Sequence, residues 1–234
     1  MVGVCHENKV IMKKKKIAIV ISFSVVGVLA LAVAIPFAIL GIRTASLSAD
    51  YKYLKDDTKY STKVEVEGID LVTQHVSCGY ATIEMMSTYY GNKVSEDDLD
   101  AKNNGGVSTA SSKGFLNEVN ASITSKSFVM RNYLKHDALL KEIYDSLQNN
   151  DPVAIEWAAK YENEWTLHFS LVTGLDLAND NVTIYNPYGY IENIKVAEFI
   201  NRTSFNAYSN IPLFLNFGFA FGAFDKNTIF YAKR

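Results

Sequence analysis

Three side chains carry the chemistry legible in this sequence: Cys78, His168 and Asn186. Cys78 sits in the stretch Gln74-His75-Val76-Ser77-Cys78-Gly79-Tyr80-Ala81, ahead of a helical pattern that closes at Gly91. Ile83, Met86 and Tyr90 recur at helical spacing, which predicts a helix beginning near Cys78 with one apolar face. A cysteine in the first helical turn meets unpaired backbone N–H groups and the positive end of the dipole. Both favour a thiolate over a thiol. A base follows far along the chain, where Trp165 to Asp176 reads as a buried strand carrying His168. A second strand, Asn181 to Tyr185, leads into the turn Asn186-Pro187-Tyr188-Gly189. Asn186 therefore falls at the end of the strand paired with that of His168. There its side chain can accept a hydrogen bond from the imidazole and fix the tautomer. Nucleophile, base and orienter thus occur in an order suited to thiol chemistry.

The chain resembles the papain-like cysteine peptidases of the C39 and C39-like group. The matching pieces are Gln74 with Cys78-Gly79-Tyr80-Ala81, Tyr89-Tyr90-Gly91, His168 with Val172 and Gly174, and Asn186-Pro187. Together they cover roughly residues 65 to 234. The resemblance implies peptide substrates and gives Gln74 the role of completing an oxyanion hole with the Cys78 backbone N–H. Two departures stand out. Relatives carry Asp-Pro where this chain has Asn186-Pro187, and their glutamine lies slightly further upstream of the cysteine than Gln74 does. Each position also has a structural alternative. Cys78 alone would be an inert core cysteine, and His168 a buried ring satisfied by a carbonyl. Asn186-Pro187 would be a turn and Gln74 a polar loop residue. The combination favours chemistry. His75 precedes the helix and is expected to point elsewhere.

The elements that must position these groups lie behind an apolar N-terminal segment. Lys13 to Lys16 precede an uncharged run from Ile17 to Ile42, long enough to cross a hydrocarbon core of ~30 Å. The lysines place the N-terminus in the cytoplasm and the rest outside. A cleaved signal peptide is the rival reading, since Ala30-Leu31-Ala32 and Ala32-Val33-Ala34 offer small-residue sites, but the run stays apolar through Leu40. From Thr44 onward there are 17 Lys/Arg against 24 Asp/Glu, a net −7. That balance argues against nucleic acid as a partner. Cys5 and Cys78 flank the apolar run, so the external part would hold one unpaired thiol, which is either reactive or deeply buried. Zinc-ligand clusters and phosphate-binding glycine loops are absent from the sequence, and no metal or organic cofactor is implied.

Helix signals come mostly first and strands later, which predicts an α+β domain. Lys63–Val72 reads as an entering strand, Ser95 as the cap of a short helix, and Ser111–Val119 as a further helix. Ser125–Asn132 is a strand, Asp137–Leu147 an amphipathic helix, and Pro152–Trp157 and Phe224–Ala232 are strands. Ile211 to Phe224 reads as buried strand or loop, interrupted by Asn216, Gly218 and Gly222. The expected organisation is a basic cytoplasmic tail (1–16), a transmembrane helix (17–42), a stalk or linker (43–62) and a papain-like, C39-like domain (63–234). That domain would carry N-terminal helices and an antiparallel sheet. Its expected function is that of an extracytoplasmic, membrane-anchored cysteine peptidase using Cys78, His168, Asn186 and Gln74. Its partners would be a peptide or protein substrate and the lipid bilayer, through residues 17–42. The alternatives are a thiol amidase or transpeptidase acting on cell-wall peptides, and an inactive papain-like surface binding module. The Asn-, Lys- and Tyr-rich composition and the resemblance point to a bacterial chain.

Overall fold

The computed structural model describes residues 26–162, 164–205 and 212–233. The expected basic tail, Cys5 and the first nine residues of the expected span, 17–25, lie outside the described residues. The chain divides into two units, residues 1–42 and 43–234. In the described part of the first, helix α1 begins; it runs Val26–Ser46 and is long and apolar enough to cross a membrane.

Residues 43–62, expected as a stalk or linker, belong to the second unit. Leu47 and Leu54 are fully buried, and the His136 N–H donates to the Leu47 carbonyl at 3.0 Å. The spaced leucines on this polar stretch fill gaps in the domain core, with a short 3-10 turn at Lys52–Asp56 carrying Leu54. The remaining elements are β1 (Val64–Glu65), α2 (Cys78–Tyr89), α3 (Glu96–Lys102), α4 (Ser112–Ser122), β2 (Phe128–Arg131), α5 (His136–Gln148), β3 (Val153–Tyr161), β4 (Glu164–Asp176), β5 (Asn181–Asn186), β6 (Tyr190–Ile194), α6 (Val196–Ser204), α7 (Leu213–Ala220) and β7 (Thr228–Ala232).

Six strands form an antiparallel sheet in the order β2-β7-β3-β4-β5-β6. β1 adds to β4 where β3 has ended, pairing Val64 with Leu175 and Glu65 with Gly174. Only this short length of β4 is open on that side, so the expected longer entering strand is cut to two residues. β3 lies mid-sheet, and its run Val153–Ala159 is wholly buried. Both faces are therefore covered. Phe115 of α4 stacks on Phe169 of β4 at 4.5 Å, and α2 packs on the same strand. On the other face, Arg202 of α6 lies 3.5 Å over the Trp157 ring. Alternation along β4 sends Leu167 and Phe169 toward α2 and α4. His168, opposite Trp157 in the register, turns toward α6.

The segment expected as buried strand or loop is the helix α7, with Leu213 69% and Phe214 67% exposed; Ile211 lies outside the described residues. Gly218 permits the helix, because a Cβ there would sit 2.4 Å from the Phe224 ring. The sequence reading also left out β6 and α6, although Val196, Phe199, Ile200 and Thr203 of α6 recur at helical spacing and are buried.

The caps behave as composition suggests. Ser77, Ser95 and Ser111 each accept a backbone N–H from three residues on, and Ser95 forms a capping box with Asp98. Ser77 thereby fixes the start of α2 one residue before Cys78. Gly79 then allows α2 to approach Thr109, whose Oγ1 would lie 2.3 Å from an added Cβ. Gly79→Ala is expected to destabilise the protein by ~1–3 kcal/mol through overpacking. Thermal unfolding of the two forms measures this directly, and an unchanged melting temperature would contradict the close approach.

Candidate active site

β4 and β5 bring the base to its orienter. The last registered pair between them is Leu171 with Tyr185, and β5 ends at Asn186. Beyond that point one edge of β4 lies open alongside Leu167 to Phe169. His168 is 1% exposed, and its Nε2 lies 2.9 Å from Asn186 Oδ1. The amide's orientation follows from its other neighbours. Asn186 Nδ2 donates to the Glu192 carboxylate at 2.6 Å, and the Tyr188 N–H donates to Asn186 Oδ1 at 2.9 Å. A carboxylate only accepts, so Oδ1 must face His168. The imidazole proton then sits on Nε2, leaving Nδ1 with its lone pair.

Glu192 is itself held by Arg202, at 2.6 Å from Nη1 and 3.3 Å from Nη2. Arg202 also donates through Nε to the Ala158 carbonyl at 2.7 Å. Tyr188 stacks on the His168 ring at 4.1 Å and shares a 3.2 Å hydrogen bond with Thr166. Sequence reasoning missed Glu192, Arg202 and Tyr188. Only Tyr188 carried a signal, through its place in the turn after Asn186. Gly189 closes that turn at φ +94°, where a Cβ would meet Thr73 Oγ1 at 2.8 Å.

Cys78 arrives from the α2 side at the same open edge. Its sulfur accepts the backbone N–H of Phe169, the residue next to His168, as well as those of Gly79 and Cys78 itself. Cys78 and Tyr188 also interact electrostatically. The helix start acts as expected, since the Gly79 and Cys78 N–H groups lower the thiol pKa. Burial outweighs them and pushes the thiol up to about 11. The residue keeps some accessible surface, beside the cavity described below. Burial likewise drives His168 down to about 3, against a raising contribution from Asn186, with Arg202 lowering it further. Burial thus disfavours the charged form of both groups, against the thiolate expected from the helix start alone.

Gln74 is tied to the far side of the site. Its N–H donates to the Pro187 carbonyl at 2.7 Å, just after Asn186. Its side-chain oxygen is buried with no hydrogen-bond partner among the described residues. His75, as expected, turns away, with Nε2 on Asp97 at 2.9 Å. A cavity of about 280 Å³ opens beside Cys78, walled chiefly by Val107, Leu167, Phe169, Phe214, Leu215 and Phe224. A cavity of similar size, about 310 Å³, lies by Tyr51, Lys55 and Asp180 and contains none of these residues. No group of three or more His, Cys, Asp or Glu suited to a metal occurs among the described residues.

The structure joins His168 to Asn186 and seats the helix-borne Cys78 on the N–H of Phe169, the residue next to His168. The Peptidase_C39 like family model matches residues 66–212, and the chain belongs to that family, which makes it a cysteine peptidase by class. No curated protein matches. Similar solved structures include two peptidase domains. One is a double glycine motif protease from an AMS/PCAT transporter in complex with the leader peptide; identity is 13% and TM-score 0.45, covering 74% of this chain and 99% of that one. The other is the peptidase domain of Streptococcus ComA, a bi-functional ABC transporter involved in a quorum sensing pathway; identity is 16% and TM-score 0.45, covering 71% of this chain and all of that one (100%).

The bond from Asn186 to Glu192 suits an amide and not a carboxylate at position 186. Asp at 186 would set two carboxylates 2.6 Å apart, a like-charge pair that cannot both ionise. Asn186→Asp is therefore expected to lower peptidase activity at neutral pH by about tenfold or more. Adding Glu192→Gln, whose amide can donate to the new carboxylate, should restore most of that loss. A double-mutant cycle measured on kcat/KM tests the coupling, and additive losses would refute it.

Proposed function

We propose that the protein is a membrane-anchored cysteine peptidase in which Cys78 attacks the peptide carbonyl and His168 accepts and returns the proton. The observation that carries this reading is the 2.9 Å bond from His168 Nε2 to Asn186 Oδ1, together with a thiol seated on the adjoining Phe169 N–H. In this reading the resting pair is neutral and His168 is a general base: the sulfur gives up its proton as it bonds to the carbonyl carbon. An oxyanion would be held by the Cys78 N–H and by the Gln74 amide. Loss of the amine, protonated by His168, leaves a thioester that water then hydrolyses.

The apolar cavity supports a peptide with a bulky apolar side chain near the scissile bond. Helix α1 supports single-pass anchoring, with residues 1–16 cytoplasmic and the catalytic domain outside, as the lysine placement favours. One observation favours an inactive binding module as the second reading. A thiol near 11 and an imidazole near 3 are those of an unactivated pair.

Two measurements separate these readings, both on the full chain in detergent with Cys5→Ser, so that Cys78 is the sole thiol. In a peptide library, Cys78→Ala is expected to abolish cleavage and His168→Ala to reduce it by about 10²–10⁴-fold. Intact cleavage in Cys78→Ala would remove the peptidase reading. Alkylation of Cys78 should still be rising with pH at about pH 9, as a thiol displaced upward by burial requires. A fast plateau in acid that vanishes in His168→Ala would instead establish a resting ion pair and refute the neutral one.

A further inference from the structure

The loop that delivers Cys78 has no regular secondary structure, so its backbone N–H groups need partners from elsewhere. One side chain supplies three. Glu96, fully buried at the first position of α3, accepts from the His75 N–H at 3.2 Å through Oε1. Its Oε2 accepts from Val76 at 2.9 Å and Ser77 at 3.0 Å. These are the three residues immediately before the nucleophile. The His75 ring adds a contact, with Nδ1 3.3 Å from Glu96 Oε1.

Glu96 is held in turn by the helix it serves. Its own N–H donates to the Glu84 carboxylate at 2.7 Å, and Glu84 lies on α2. The connections form a closed circuit: α2 holds α3 through Glu84, α3 holds the loop through Glu96, and the loop runs into α2 at Cys78. The loop's other end is pinned separately, by Gln74 N–H on the Pro187 carbonyl. The segment 74–77 is thus fixed at one end to the turn that follows Asn186 and at the other to α3.

From this geometry we infer that Glu96 is a positioning residue for the catalytic thiol. It sets where the backbone enters α2, and so sets Cys78 and Gln74 against His168 and Asn186. The inference rests on the Cys78–His168 reading above and extends it to a residue on a different helix. A buried carboxylate is costly unless fully hydrogen-bonded, and three backbone donors from one short loop offset that cost. A misplacement of about 1 Å in such a loop can cost about a hundredfold in rate.

The test compares wild type, Glu96→Gln and Glu96→Ala in the full chain. Glutamine keeps the shape but turns an NH2 group toward one set of loop N–H donors; alanine removes all three acceptor contacts. Steady-state cleavage, hydrogen–deuterium exchange of the peptide spanning residues 74–80, and thermal unfolding are measured on each. Expected are a kcat about tenfold lower in Glu96→Gln and about a hundredfold lower in Glu96→Ala, with KM within about twofold. Amide protection at 75–77 should fall in the same order. Lost protection with kcat intact would make Glu96 merely structural and overturn the inference. So would a loss of activity that tracks only the folded fraction. Should wild type cleave no peptide, the peptidase reading fails on its own account. Amide protection and the Cys78 alkylation rate would still decide this inference, since both must change in the Glu96 variants for it to stand.

Discussion

The amide of Asn186 is the group on which the rest of the site depends, because it must satisfy an imidazole at one end and a carboxylate at the other. Its oxygen takes the His168 proton and the Tyr188 N–H, while its nitrogen donates to Glu192. Neither end can be reversed without facing donor to donor and acceptor to acceptor. A tautomer that would otherwise be free is thereby set by a residue that never touches the histidine. Arg202 completes the arrangement by balancing Glu192, bonding the Ala158 carbonyl and lying over Trp157. Trp157 donates through Nε1 to Ser170, two residues beyond His168 on β4. The path from His168 through Asn186, Glu192, Arg202 and Trp157 returns to the strand on which it began. A connected ring of this kind constrains each member through its neighbours.

That ring explains why the site forms where β5 stops. Inside a ladder, the Phe169 N–H would be taken by a neighbouring strand; past the end of β5 it is free to meet the Cys78 sulfur. The helix start on one face of the sheet and the histidine-bearing strand then come together at Phe169, the residue next to His168. Gly79 and Gly189 are the two places where this convergence leaves no room for a Cβ, against Thr109 and Thr73 respectively. The catalytic geometry is therefore a property of strand length and loop packing as much as of the named side chains.

Sequence patterns exposed the parts of this that are local. Cys78 at a capped helix start, the long apolar strand around His168 and the turn at Asn186 all leave marks within a few residues. Glu96, Glu192 and Arg202 leave none. A glutamate in the first turn of a short helix is the ordinary companion of the dipole, and nothing near Glu96 shows that the loop twenty residues earlier will wrap its carboxylate. Glu192 lies on an edge strand with mixed exposure, and Arg202 on a helix of nine residues. Their roles arise from contacts across the fold. The packing of 43–62 was hidden for a related reason: two leucines in a polar stretch make no period, yet each fills a place in the core. The helical state of α7 was masked by Gly218, a residue that elsewhere breaks helices and here admits the Phe224 ring.

The charge state of the pair shows which of two opposing effects dominates. The start of α2 contributes N–H groups that pull the thiol toward ionisation, and the sequence argument rested on them. Desolvation acts in the other direction on both partners, raising Cys78 and lowering His168, and it prevails. A dry site penalises separated charge before substrate arrives, but the same dryness strengthens every donor aimed at charge that develops during reaction. In the proposed reaction, negative charge would develop on the peptide oxygen as the sulfur bonds to carbon, and the Cys78 N–H and the Gln74 amide would meet it. The proton would meanwhile be received by a histidine whose other nitrogen is already committed to Asn186. Burial therefore opposes the ion pair at rest and favours it only while a bond to carbon is forming. In the proposed reaction, that would tie activation of the Cys78 thiol to the arrival of substrate.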